Sequence, residues 1–282
     1  MTEEKQNTAW SETDRVNAVI DGLTLFDDDL MSRVFDKNIE VTEIVLRIIL
    51  GRNVKVISVI GQDELKNHKV GGRNITLDIH AIDVNGEEVD IEVQGNAEGA
   101  HVRRARYHSS MVDSRMLDEG QSFKNLKDSY VIFIYKHDKF KRGLPIYHVD
   151  RYVGETAALF EDGSHIIYVN GNYKGDDEIG QLMRDFHQTD SRNIYYDVLA
   201  HGVKHYKEDK GGRENMCEAV EKYAREYAKE HAKDYAKDYV VRERVCNVRN
   251  LMDSLKFTLD QALDALKIQG SERELVASQV KK

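Results

Sequence analysis

The stretch Arg73–Gln94, RNITLDIHAIDVNGEEVDIEVQ, limits what this chain can fold into more than any other. Two runs rich in β-branched residues flank an Asn85-Gly86 pair, the strongest short-range signal of a β-hairpin. The register of that hairpin decides where its acids go. A two-residue turn at Asn85-Gly86 would set Asp78 across from Val93 and mix charged with apolar side chains on both faces. A three-residue loop, Val84-Asn85-Gly86, with Gly86 left-handed, sets Asp78 directly across from Glu92. One face then carries Ile75, Leu77, Ile79, Ala81, Val89, Ile91 and Val93, and the other carries Thr76, Asp78, His80, Asp90, Glu92 and Gln94. The second register is the expected one, because it alone sorts apolar from polar side chains.

Opposed carboxylates repel, so Asp78 across from Glu92 is unfavourable unless a cation lies between them or both splay into water. A divalent ion such as Mg²⁺ suits the first alternative, since hard cations take carboxylate oxygens and can add a backbone carbonyl. His80 and Asp90 are expected to face each other on the same side of the hairpin.

Around the hairpin the apolar spacing alternates between helix and strand periods. Leu30–Leu50 reads as one helix stopped by Gly51, and Asn53–Ile60 as a strand. A helix is expected from about Glu98 to Glu119, followed by Ser129–Tyr135, whose continuous apolar run fits a strand buried on both faces. LPIYHVDRY and SHIIYVNGN are strand-like, and polar helices follow from Asp176. Helix, three strands, helix, strand is the order of an α/β core with a mixed sheet.

The C-terminal part has another texture. YAREYAKEHAKDYAKDY repeats every four residues, so Tyr223, Tyr227, His231 and Tyr235 form a slowly drifting ridge on a helix. Thr258–Gln261 and Ser271–Glu274 are capping-box signatures for two short helices. The chain therefore divides into a disordered 1–15, a core over 16–175, a helical region with the Tyr/Ala/Lys repeat over 176–245, and short helices over 246–282.

Composition narrows the function. With 40% hydrophobic and 32% charged residues in 282, the chain can bury a sizeable core. A net charge of −9 argues against nucleic-acid binding by bulk charge. Contact with a polyanion must rest on local patches, of which HVRRARYH, with Arg103, Arg104 and Arg106, and KHDKFKR, with Lys136, Lys139, Lys141 and Arg142, are the candidates. No apolar run reaches bilayer length, and the polar, acidic MTEEKQNTAWSETDR lacks the order of a secretory signal. Cys217 and Cys246 form no disulfide framework, so a soluble, cytoplasmic protein is expected.

The hairpin TLDIHAIDVNGEEVDIEVQ resembles the Asp…Glu-x-Lys motif of the PD-(D/E)xK nuclease superfamily, in particular its Rpn branch of recombination-promoting nucleases, or putative transposases. VTEIVLRIILG, RRARYHSSMVDSRMLDEGQSFKNLKDSYVIFI and YKEDKGGRENMCEAVEKYAREYAKE look like further blocks of that family, in order, from about Leu30 to Lys229. The resemblance implies a PD-(D/E)xK restriction-endonuclease-like α/β core, αβββαβ, with a helical C-terminal extension, acting as a Mg²⁺-dependent DNA endonuclease in recombination or transposition. Asp78 and Glu92 would bind Mg²⁺, or Mn²⁺ or Ca²⁺, with the carbonyl of Val93. Gln94 stands where the superfamily has its catalytic Lys, as in the Rpn branch. Glu43 is the candidate for an added acid from the first helix, with Glu40 next, although Arg47 stands where a family Glu would be placed. Arg103, Arg104 and Tyr107 would hold DNA. A catalytically weakened DNA-binding or regulatory module is the alternative, and the helical C-terminal region could make a homodimer.

Overall fold

The computed structural model describes residues 12–67, 69–96 and 99–280. The chain forms two compact units, residues 1–220 and 221–282. In the first, helix α1 (Glu12–Gly22) begins inside the stretch read as disordered, because Val16 and Ile20, one turn apart, join the core. Residues 1–11 lie outside the described residues.

The single helix expected over Leu30–Leu50 is two, α2 (Asp28–Phe35) and α3 (Ile39–Leu50). The break has a local cause. Lys37 is left-handed at φ 56, and Asn38 closes both ends, its Nδ2 donating to Val34 O at 3.0 Å and its Oδ1 accepting from Val41 N at 3.2 Å. Gly51, at φ 64, ends α3 as the sequence predicts.

Strands β1 (Val56–Leu65), β2 (Ile75–Asp83), β3 (Glu88–Gln94), β4 (Ser129–Tyr135), β5 (Ile146–Val149) and β6 (Ser164–Asn170) form one mixed sheet in the order β1-β2-β3-β4-β6-β5. β1, β2 and β3 are antiparallel neighbours. Parallel pairing of β3 with β4 requires a crossover, and α4 (Val102–Asp113) supplies it, shorter than the helix expected over about 98–119 and capped by His101. β4 is buried on both faces. Its Ile132 and Ile134 join a core with α2, α3, α5 (Glu178–Phe186), α6 (Asp197–Glu208) and the start of α7 (Lys210–Leu255), while Val131, Phe133 and Tyr135 meet Ala105 of α4 and Tyr168 on the other side. Helices thus cover both faces of an α/β core, and the acids of β3 share the α4 face with Phe133.

The second unit has its own core, in which Val241, Val245 and Val248 of α7 pack with Ala262, Leu263, Ile268 and Val276. Helix α8 (Leu259–Ala265) carries the expected capping box, Gln261 N donating to Thr258 Oγ1 and Thr258 N to Gln261 Oε1. Helix α9 (Gly270–Val280) follows. The side chains of the Tyr223–Tyr235 ridge and of Ser271 lie outside the described residues. Among the described residues no helix is long and apolar enough to cross a membrane.

Candidate active site

The hairpin takes the register that pairs Ile79 with Ile91 and His80 with Asp90. Gly86 is left-handed at φ 80, and Asp83 builds the turn, its Oδ1 accepting from Asn85 N at 2.7 Å and Glu87 N at 2.9 Å. At Asp78 and Glu92 side chains replace the ladder. Asp78 N donates to Glu92 Oε1 at 3.1 Å, and Val93 N donates to Asp78 Oδ2 at 3.1 Å. Gln62, across β1 at the same level, is left-handed at φ 55. The apolar face departs from the sequence pattern. Ile75 and Leu77 do not share the core of Ile79 and Ala81; beyond the break at Asp78 they pack with Leu65 and with Met111 and Val112 of α4.

Both acids are buried, Asp78 to 6% and Glu92 to 0% exposure, so neither splays into water. A single amide lies between them, Gln94 Nε2 standing 3.3 Å from Asp78 Oδ2 and 3.3 Å from Glu92 Oε2. Gly99 leaves the room for that side chain, since a Cβ there would fall 1.8 Å from Gln94 Oε1. From α4, Arg104 Nη2 donates to Glu92 Oε2 at 2.6 Å, and Arg104 Nε donates to His108 Nε2 at 3.3 Å. That leaves Nδ1 of His108 to donate to Asp90 Oδ2 at 2.9 Å. Asp90 Oδ1 is buried with no partner.

Crowding in a dry site sets the charge state. Burial, then the repulsion of Glu92 and Asp28, pushes the Asp78 carboxyl up to about 8. Burial and Asp78 push Asp90 to about 8, and burial and Asp90 push Glu92 to about 8. Burial lowers His108, which stays neutral at neutral pH. An isolated arrangement of this kind is unfavourable, and its donor set is that of a hard cation: carboxylates, an orphaned carboxylate oxygen, and the Val93 carbonyl. Val93 N points toward β2, while Gln94 O is taken by Lys136 N on the far side, so the Val93 carbonyl shares the Asp78 edge. Asp90, Glu92 and His108 also bring one ligand atom each within 4.8 Å of one another. The residues present fit a divalent ion.

A cleft of ≈ 810 Å³ opens over this group, lined by Arg73, Thr76, Asp78, Gln94, Arg103, Arg104, Tyr107 and His108 among others. Of the residues singled out in the sequence, Asp78, Glu92, Val93, Gln94, Arg103, Arg104 and Tyr107 are therefore brought together. Arg104 lines the cleft and is also engaged with Glu92. The Tyr107 hydroxyl donates to Arg73 O at 2.6 Å, fixing the loop that enters β2. His80 and Asp90 pair in register but not through side chains: His80 bonds Asp63 and Glu88, and Asp90 bonds His108.

Glu43 does not join the group. Its carboxylate accepts from Val56 N at 3.0 Å and meets Lys55, at the end of the ladder where Val56 pairs with Asp83, in a separate recess with Glu40 and Arg47. Arg47 itself pairs with Glu178 at 2.8 Å. The helical acid within electrostatic reach of both Asp78 and Arg104 is instead Asp28, in the first turn of α2. Glu43→Gln should therefore change any activity of this site by no more than about twofold, since its carboxylate is engaged with Val56 and Lys55 instead. A supercoiled-plasmid assay checks this, and a larger loss would return Glu43 to the site. Sequence reading also passed over His108, Asp90 as an orphaned acid, and Arg73. Only the helical spacing of Arg104 and His108, one turn apart, could have signalled that they meet.

Residues 35–172 match the family model described as PD-(D/E)XK nuclease family transposase. No curated protein and no solved structure matches the chain. The matched segment holds the hairpin, α4 and the acids between them, so residues 35–172, with the central sheet and the site built on it, form a PD-(D/E)XK nuclease family transposase domain.

Proposed function

We propose that the protein is a metal-dependent DNA endonuclease that hydrolyses phosphodiester bonds in the cleft beside α4, in the setting of recombination or transposition. The observation that carries this reading is the pair Asp78 and Glu92, buried, mutually repelling, and spanned by one neutral amide where a cation would satisfy both. Asp78, Glu92 and the Val93 carbonyl would hold Mg²⁺, or Mn²⁺ or Ca²⁺ in the same oxygen set. Such an ion lowers the pKa of a bound water and offsets charge developing on the phosphate.

The chain's own residues do the rest. Gln94, in the position of a charged lysine, orients by hydrogen bonds and cannot neutralise charge. Arg104 holds Glu92, which keeps that carboxylate ionisable in a dry site and fixes its direction. Arg103, exposed on the cleft wall, is placed to take a phosphate oxygen. Tyr107 acts through the Arg73 backbone and positions the cleft rim.

The test is nicking of supercoiled DNA by the purified protein with Mg²⁺, Mn²⁺ or Ca²⁺ and with chelator. Cleavage that requires a divalent ion supports the reading; no cleavage with any ion sinks it. Arg104 seated on Glu92 favours one alternative, a DNA-binding module without turnover, and DNA binding with no cleavage would select it. Homodimerisation through the helical C-terminal region belongs to the same proposal, and sedimentation of the full chain measures it.

A further inference from the structure

The loop between β1 and β2 is exposed, yet it is tightly built. Asn67 N donates to Asn74 Oδ1 at 3.0 Å, Lys69 N to Asn67 Oδ1 at 2.8 Å, and Gly72 N to Lys69 O at 2.8 Å. Asn67 Nδ2 donates to the Tyr107 hydroxyl at 2.8 Å, and that hydroxyl donates to Arg73 O, so the loop is latched to α4. Gly72 is required for the fold of the loop, since a Cβ would fall 2.5 Å from the Asn67 side chain. Gly71, at φ 73, turns the tip into open space.

The described residues of this loop present an unusual surface. Val70 at its tip is 99% exposed, with the exposed Lys69 before it and the exposed Arg73 after Gly71 and Gly72. Arg73 lines the cleft with Asp78 and Gln94, and its charge reaches His108. Arg103 and Arg106, one turn apart on α4, are exposed as well. Among the described residues, none of Lys69, Arg73, Arg103 and Arg106 forms an ion pair with an acid. On a chain of net charge −9, unpaired cations gathered on one loop and one helix beside an acidic site are complementary to a polyanion. A branched apolar side chain held in water between them matches the wedges that enter a base step from the minor groove, with flanking cations on phosphates.

We propose that residues 69–73 form a duplex-gripping wedge, Val70 entering the minor groove at a base step while Lys69 and Arg73 take the flanking phosphates and seat one strand in the cleft. The inference rests on the nuclease reading and names its substrate as double-stranded DNA. Its test needs no cleavage: binding of a short duplex and of its single strand, both carrying 2-aminopurine, followed by anisotropy and base fluorescence with chelator present.

Wild type should bind the duplex more tightly than the single strand and raise the 2-aminopurine signal by unstacking. Val70→Ala should abolish that rise and weaken binding several-fold. Lys69→Ala and Arg73→Ala should each lower the slope of log K against log salt by about 0.9, one phosphate contact apiece. Variant melting temperatures equal to wild type would show that these losses are not unfolding. Duplex binding with no fluorescence rise, equal binding by Val70→Ala, or a preference for the single strand would each overturn the wedge. The nuclease reading is judged separately, by metal-dependent nicking.

Discussion

Asp78→Asn protein should nick supercoiled DNA at least about 10³-fold more slowly than wild type with Mg²⁺, because a carboxylate ligand supports several kcal/mol of transition-state charge stabilisation. The same variant should unfold at a higher temperature than wild type above pH 8. The two effects share one cause. In the chelated protein the Asp78 carboxyl is desolvated and repelled by Glu92 and Asp28, which raises it to about 8, so ionised Asp78 works against the fold. Asparagine is isosteric and keeps an oxygen to accept from Val93 N and from Gln94 Nε2, so the strand junction survives. Removing the repulsion should be worth on the order of 1–2 kcal/mol, a few degrees in melting temperature for a unit of this size. An acid retained only for structure gives the opposite pattern, lower stability and activity falling with it. Scanning calorimetry at pH 9 with chelator, beside the nicking assay, separates the two. A less stable Asp78→Asn protein, or one that still cuts, would remove Asp78 from the metal site.

The parts of this site legible in the sequence are those governed by period-two alternation and turn chemistry. Asn85-Gly86 and the sorting of apolar from polar residues fixed the register, and the register placed Asp78 near Glu92. What escaped is set by backbone events that have no period. Left-handed Lys37 splits an apolar run that reads as one helix, and left-handed Gln62 sits beside Asp78, where the pairing of β2 with β3 ends and beyond which Ile75 and Leu77 pack under α4. Neither residue is a glycine, so nothing in composition marks it. The engagement of Arg104 with Glu92, and of His108 with Asp90, depends on the rotation of α4 over β3, a packing outcome that no local pattern carries. Glu43 was a natural candidate by its place on a helix before β1, but the helix presents it to Lys55 and Val56 instead.

The chelated protein should lose stability as pH rises from about 4 to about 8, and Mg²⁺ should restore it most at the upper end. Asp78, Asp90 and Glu92 lie near 8 in the fold, against 3.8, 3.8 and 4.5 as ordinary values. Between those limits the native chain holds protons that the unfolded chain has released. Stability then falls with pH, by at most about 1.4 kcal/mol per pH unit for each proton retained. The three titrate as one coupled group, so the decline is spread over the window rather than centred on one pH. His108 works the other way, since its lowered pKa withdraws stability as pH falls below its ordinary 6.5. A cation replaces the retained protons, so its binding releases them and tightens with pH. Saturating Mg²⁺ at 100 times its dissociation constant would add about 2.7 kcal/mol. Urea unfolding at pH 5, 6, 7, 8 and 9, with chelator and with Mg²⁺, measures both trends. A chelated protein whose stability is flat across this range, or a Mg²⁺ effect as large at pH 5 as at pH 9, would show that these acids are not the metal site. The crowding that makes the group unfavourable alone is what would give a cation its hold, and the pH dependence is where that exchange would become measurable.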